Sequence, residues 1–275
     1  MIAPVAAIRA SYNMTIGTSE QVLVSRRGHV CEVRLNRPEK RNALTAAMYE
    51  SLIEALTEAE ADEQIRVLLL SGEGACFTGG NDLKDFLNVP DVIGTDHVIA
   101  RFLGALSGFG KILIAAAHGP TVGIGATLLL HCDLVIAAAR STRIITPFVQ
   151  LGVVPEAAST LLLPRLIGHP RAAEMFFLGE PLDAATAREW GLINRVVDDE
   201  RLMEEARALA DAAARQPPGA VRATKRLMRA AGSSELAAHM LQELREFTAR
   251  LRGPEFAAAA QAFFAAHRPP SDPKP

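Results

Sequence analysis

The run Ile112-Leu113-Ile114-Ala115-Ala116-Ala117 leads into His118-Gly119-Pro120-Thr121-Val122-Gly123-Ile124-Gly125, and Cys132-Asp133 then leads into Leu134-Val135-Ile136-Ala137-Ala138. An unbroken apolar run fills both faces of a strand, so Ile112–Ala117 predicts a strand covered on both sides. Residues 121–130 are apolar nearly all round and predict a buried helix. Leu134–Ala138 predicts a further strand. Strand, glycine turn, helix, strand is the order of an α/β fold whose sheet is covered by helices.

Upstream the same logic repeats. Val67-Leu68-Leu69-Leu70 ends in Ser71-Gly72-Glu73-Gly74, and Phe77-Thr78-Gly79-Gly80-Asn81-Asp82-Leu83 follows. Residues 21–25 and Val30–Leu35 flank Arg26-Arg27-Gly28-His29 and predict a β-hairpin. Asn36-Arg37-Pro38-Glu39-Lys40-Arg41 interrupts regular structure. From 45 to 61 apolar residues recur at helical spacing (Met48, Leu52, Ile53, Leu56, Ala59), with Thr45 as the expected N-cap. After Gly191 the chain turns rich in Ala, Arg, Leu and Glu. Residues 200–215, 220–231 and 233–252 predict helices, broken at Pro217-Pro218 and Gly253-Pro254. The expected organisation is a loose N-terminus at 1–17, an α/β core at 18–200, a helical region at 201–268 and a flexible tail at 269–275.

Composition narrows the function. The chain has 275 residues, 49% of them hydrophobic and 22% charged, which is globular composition. Lys plus Arg number 29 and Asp plus Glu 31, for a net charge of −2. That balance argues against a general nucleic-acid binder. Cys31, Cys76 and Cys132 are widely spaced, so neither a zinc site nor a disulfide framework is expected, and a reducing, cytoplasmic location is. His131 and Asp133 break the longest apolar run, so no membrane span is expected. The first eighteen residues lack a basic start followed by an apolar core, so no signal peptide is expected.

Several chemistries are absent. There is no GxxxxGK[ST] loop, no GxSxG and no HExxH, and Gly123-Ile124-Gly125 lacks the third glycine of a dinucleotide fingerprint because residue 128 is Leu. What remains is two glycine-bearing loops, each after a buried strand. Glycines let backbone approach a ligand closely, and two N–H groups aimed at one oxygen form an oxyanion hole. Spacing alone leaves that reading open beside a pair of tight turns with no ligand.

The order of segments is more specific. Asn36-Arg37-Pro38 with Asn42-Ala43-Leu44, Phe77 to Leu83, His118-Gly119 through Gly125, Cys132-Asp133, Leu151-Gly152-Val153-Val154-Pro155-Glu156, Leu163-Pro164-Arg165-Leu166-Ile167-Gly168, and Gly191 with Leu192-Ile193-Asn194-Arg195-Val196-Val197 fall in one order. Together, over residues 20 to 268, they resemble the enoyl-CoA hydratase/isomerase (crotonase) superfamily.

The resemblance implies a crotonase-type spiral of ββα units with a helical C-terminal region that assembles homotrimers or hexamers. It implies an acyl-CoA thioester as substrate, with coenzyme A as part of it and no other cofactor or metal. The backbone amides of Asn81 and Ile124, after Gly80 and Gly123, match the family's oxyanion hole. Removing a proton beside a thioester puts negative charge on its oxygen, and fixed N–H donors stabilise that charge. Lys40, Arg41 and Ala43, with Leu83 and Lys84, match the CoA-binding loops, and Phe263 and Arg268 match the C-terminal cover of the adenine.

The reaction depends on side chains around the hole. The two hydratase glutamates fall at Thr127 and Phe148 here, and neither is a carboxylate. The stretch from Pro147-Phe148 to Glu156-Ala157-Ala158-Ser159 is similar to peroxisomal-type Δ3,Δ2-enoyl-CoA isomerases, in which Glu156 matches the catalytic acid/base; the ring-opening phenylacetate-pathway isomerases look similar too, but tend to carry an acid near position 127, and Thr127 counts against them. Read without the family, Glu156 is a helix N-cap or first-turn acid. Asp82 is expected to stabilise its loop, and His118 and His131 to satisfy polar contacts. Hydration of a 2-enoyl-CoA and acyl-CoA binding without catalysis remain as alternatives.

Overall fold

A computed structural model describes residues 19–83 and 95–266. The expected loose ends, Lys84, Arg268 and the side chain of Phe263 lie outside the described residues. In chain order the strands are β1 (Val22–Arg27), β2 (Val30–Leu35), β3 (Val67–Gly72), β4 (Ile112–Ala117), β5 (Pro120–Val122), β6 (Leu134–Ala138), β7 (Arg143–Ile145), β8 (Leu182–Asp183) and β9 (Arg195–Val197). The helices are α1 (Ala46–Ala61), α2 (Val98–Gly108), α3 (Ile124–Thr127), α4 (Ser159–Ile167), α5 (His169–Leu178), α6 (Ala184–Glu189), α7 (Leu202–Ala214), α8 (Pro218–Ala230), α9 (Ser233–Leu251) and α10 (Pro254–Ala266).

Among the described residues, six strands form the main sheet in the order β1-β2-β3-β4-β6-β9. The β1–β2 hairpin is antiparallel, and every later pairing is parallel. Successive side chains of a strand point to opposite faces. Leu68, Leu70, Leu113, Ala115, Val135 and Ala137 therefore join one core, under Met48 and Leu52 of α1 and Phe102 and Leu106 of α2. Val67, Leu69, Ile114, Ala116, Ile136 and Ala138 join a second core, under Leu202, Ala206, Leu209 and Ala210 of α7. Both faces are dry, which is why these strands read as continuous apolar runs. Thr45 caps α1, its side chain accepting from the Met48 amide at 3.3 Å.

Residues 121–130 are not one helix. Pro120–Val122 is β5, which pairs with β7 in a separate small sheet. The helix is the single turn of α3, followed by a 3-10 turn over Leu128–His131. Buried strand and buried helix look alike in an all-apolar stretch. Here β-branched Thr121 and Val122 find strand partners, and Gly123 at φ +57° separates the strand from the helical turn.

Because β3 and β4 are parallel neighbours, the loops that follow them leave the same edge of the sheet. At the C-terminal end, Leu244 and Phe247 of α9 and Phe256 and Ala260 of α10 pack with Phe148 and Val153 in a third apolar cluster.

Candidate active site

The loop after β3 is laced to the segment after β4. Thr78 bridges Thr121, and the Val122 amide donates to Thr78 O at 3.0 Å. Gly80 holds φ +91°, and a Cβ there would meet Val122 O at 2.9 Å and Gly123 Cα at 3.9 Å. Only glycine permits that approach and that backbone angle. The amides of Asn81 and Ile124 thus each follow a positive-φ glycine, and those two glycines lie against one another. Neither amide donates to a protein acceptor among the described residues. Two such neighbouring N–H groups are suited to an oxygen that gains negative charge.

Asn42 holds this arrangement from behind. It is fully buried with φ +53°, a conformation that asparagine tolerates better than most residues. Its Nδ2 donates to Cys76 O at 2.7 Å and Glu73 O at 2.9 Å, and its Oδ1 accepts from the Arg37 amide at 2.8 Å. Its carbonyl accepts from Thr78 Oγ1 at 2.7 Å. Arg37 reaches Asp82 at 2.8 Å, which bears out a loop-stabilising Asp82. Lys40 and Arg41 are left exposed on this loop, with Ala43 and Leu83 half-buried beside it.

Glu156 is buried, 4% exposed. It stands outside the helix, which corrects the N-cap and first-turn reading. Ala157 and Ala158 follow it at φ +65° and +53°, and α4 starts only at Ser159. Left-handed backbone costs a non-glycine residue roughly 1–2 kcal/mol, so other contacts hold the turn. Ser159 N donates to Glu156 O at 3.2 Å, and Leu162 N donates to Ala158 O at 2.9 Å. His131 Nε2 donates to Ala157 O at 2.8 Å. Burial pushes the His131 imidazole down to about 4, so it stays neutral in this polar-satisfying role. His118 similarly reaches Gly74 O at 2.9 Å.

The Glu156 carboxyl is pushed up to about 8, first by burial and next by the nearby Glu243 carboxylate, against a lowering contact from Asn81. That contact runs from Asn81 Nδ2 to Glu156 Oε1 at 3.4 Å. Asn81 therefore offers its backbone amide to the candidate oxyanion position and its side chain to the carboxylate. Glu243 is buried too, and burial pushes it up to about 7. Its Oε1 accepts from Thr160 N at 2.9 Å and Thr160 Oγ1 at 2.5 Å. His239 Nε2 stands 3.6 Å from Glu243.

The two positions that the resemblance matches to hydratase glutamates offer no acid. Thr127 turns its hydroxyl back to Gly123 O and Ile124 O, both at 3.4 Å. Phe148 lies in the apolar cluster with α9 and α10. Sequence reasoning gave Asn42 no role and passed over Tyr49 and Glu243. Asn42 was visible in Asn42-Ala43-Leu44, whereas Glu243 arrives only through tertiary packing. Among the described residues there is no helix long and apolar enough to cross a membrane, and no cluster of three or more His, Cys, Asp or Glu suited to a metal.

Residues 25–271 match the family model described as enoyl-CoA hydratase/isomerase. The chain is 41% identical over 195 residues to 1,2-epoxyphenylacetyl-CoA isomerase of Escherichia coli, covering 68% of this chain and 74% of that protein. It is 32% identical over 250 residues to the peroxisomal enoyl-CoA delta isomerase 3 of Mus musculus, covering 89% and 78%. Hydratases match comparably: 2,3-dehydroadipyl-CoA hydratase of Escherichia coli is 33% identical over 228 residues, covering 83% and 89%. Among solved structures, OdaA of Pseudomonas aeruginosa superposes with a TM-score of 0.85 at 45% identity, covering 89% of this chain and 99% of that one. The expected fold class is borne out, and the chain belongs to the enoyl-CoA hydratase/isomerase (crotonase) family, with relatives in its delta-isomerase branch.

Proposed function

We propose that the protein converts a 3-enoyl-CoA to the conjugated 2-enoyl-CoA with Glu156 as its single acid/base. The thioester oxygen lies between the amides of Asn81 and Ile124. The ionised Glu156 takes a proton from C2, and the electron pair delocalises onto the thioester oxygen and the C3–C4 double bond. The carboxyl group returns the proton at C4 and leaves a C2–C3 double bond. No water is consumed, so one carboxyl suffices. An apolar site raises the Glu156 pKa, which makes its anion a stronger base.

One observation carries this reading. A buried carboxylate contacts the side chain of the residue whose own amide is one of the two candidate oxyanion donors. Hydration of a 2-enoyl-CoA is the second reading, supported by the hydratase relatives and by Glu243 as a second buried carboxylate near Glu156. Lys40 and Arg41, exposed beside the site, are proposed phosphate contacts for CoA, and a homotrimer or hexamer is the proposed assembly.

The test is to supply a 3-enoyl-CoA and follow the conjugated thioester, with hydration of a 2-enoyl-CoA in parallel and Glu156→Gln as control. Isomerisation lost in the variant, with slow hydration, is the expected result. Fast hydration with slow isomerisation would replace the first reading with the second.

A further inference from the structure

Tyr49 sits on the buried face of α1, 2% exposed, with its ring against Phe102 at a centroid distance of 5.0 Å. Its hydroxyl makes a short contact with Asn81 Oδ1. The amide of asparagine has one accepting and one donating end. A phenol that donates to Oδ1 leaves Nδ2 to face Glu156, where it stands 3.4 Å from Oε1. With the amide turned over, Oδ1 would face the carboxylate and repel its anion. Resting on the reading of Glu156 as base, we propose that Tyr49 is a positioning residue that locks the Asn81 side chain with its donor end toward Glu156.

The surroundings support the role. Burial, and next the nearby Glu156 charge, hold the Tyr49 phenol well above its usual range, so it keeps the proton that it donates. Of the titratable groups that bear on Glu156, Tyr49 comes from α1 and Glu243 from α9. Asn81 lies between them on the loop after β3. A lock at Asn81 also steadies its backbone amide, so one hydroxyl would orient both the donor and the base.

The experiment compares Tyr49→Phe, Asn81→Ala and the double variant with the intact chain. Tyr49→Phe keeps the ring and its packing. The expected result is a fall in kcat of about tenfold with KM within about twofold, and an acid limb of the pH–rate profile moved to higher pH. Tyr49→Phe should add little once Asn81 is Ala. Losses that multiply, or a lowered Tm with kcat and pH profile unchanged, would overturn the proposal. A second readout does not need turnover: 13C NMR titration of the Glu156 carboxyl should show its midpoint raised in Tyr49→Phe. An unmoved midpoint would overturn the lock even in an active enzyme. A raised midpoint in a chain that does not isomerise would keep the lock and reject the isomerase.

Discussion

Glu243 of α9 accepts from the amide and hydroxyl of Thr160, in the first turn of α4, at 2.9 and 2.5 Å. Thr160 stands two residues after Ala158, which ends the left-handed turn that presents Glu156. The C-terminal helices thus hold the backbone beside the candidate base, and place a second carboxyl near it.

That neighbour is expected to weaken the acidity of the base. The Glu243 carboxylate is a like charge that helps raise Glu156. Glu243→Gln keeps an acceptor for Thr160 and removes the charge. The acid limb of the isomerisation rate should move down by roughly one pH unit. A pH–rate profile that does not move would show the two carboxyls to be uncoupled.

The base itself sets the pH range of activity and a slope in stability. As the proposed base, Glu156 would act ionised, so the rate should rise with pH through about 8 and level off above it. Its folded value lies above the ordinary 4.5, so between those two values the folded chain retains a proton that the unfolded chain has released. Stability contributed by this group is complete below the unfolded value and is lost as pH rises through the folded one, at up to roughly 1.4 kcal/mol per pH unit. Glu156→Gln should flatten that slope in chemical denaturation series at pH 5 to 9. Equal slopes in both proteins would count against a raised carboxyl.

Gly80→Ala tests the paired amides. A Cβ there meets Val122 O at 2.9 Å with φ at +91°. Displacing the Asn81 amide should lower kcat by about a hundredfold, with destabilisation of roughly 1–3 kcal/mol. Steady-state kinetics and thermal unfolding separate the two effects. Unchanged kcat would remove Asn81 from the oxyanion role.

Asn42→Ala tests the frame behind them. It strips the donor to Cys76 O and Glu73 O and the acceptor for the Arg37 amide. Buried carbonyls without donors are costly, and a loss of about 3 kcal/mol or more is expected in urea denaturation. A loss below about 1 kcal/mol would mean that water replaces these bonds.

Much of this was legible in the sequence, and the exceptions share a cause. Runs such as Val67 to Leu70 announced strands covered on both faces, and Thr45 announced its helix. The order of glycine loops announced the family, and Glu156 stood out through Pro155-Glu156. The division of 121–130 was hidden because every residue there is buried whichever way the backbone runs. The left-handed turn at Ala157-Ala158 carries no glycine to betray it, since neighbouring groups impose it. Tyr49 and Glu243 reach the site from helices far away in sequence, and local pattern holds no record of such approaches.

Phe148 has a consequence for how this chain can change. The family resemblance matches it to a hydratase glutamate, and it is buried with Val153, Leu244, Phe247, Phe256 and Ala260. A glutamate at that place would be sealed among hydrocarbon at a cost of several kcal/mol. Selection would meet the unstable fold before it met any new chemistry. A single Phe148→Glu change would therefore cost stability unless the C-terminal helices loosened around it, so the packing that steadies this end of the fold also resists an acid there.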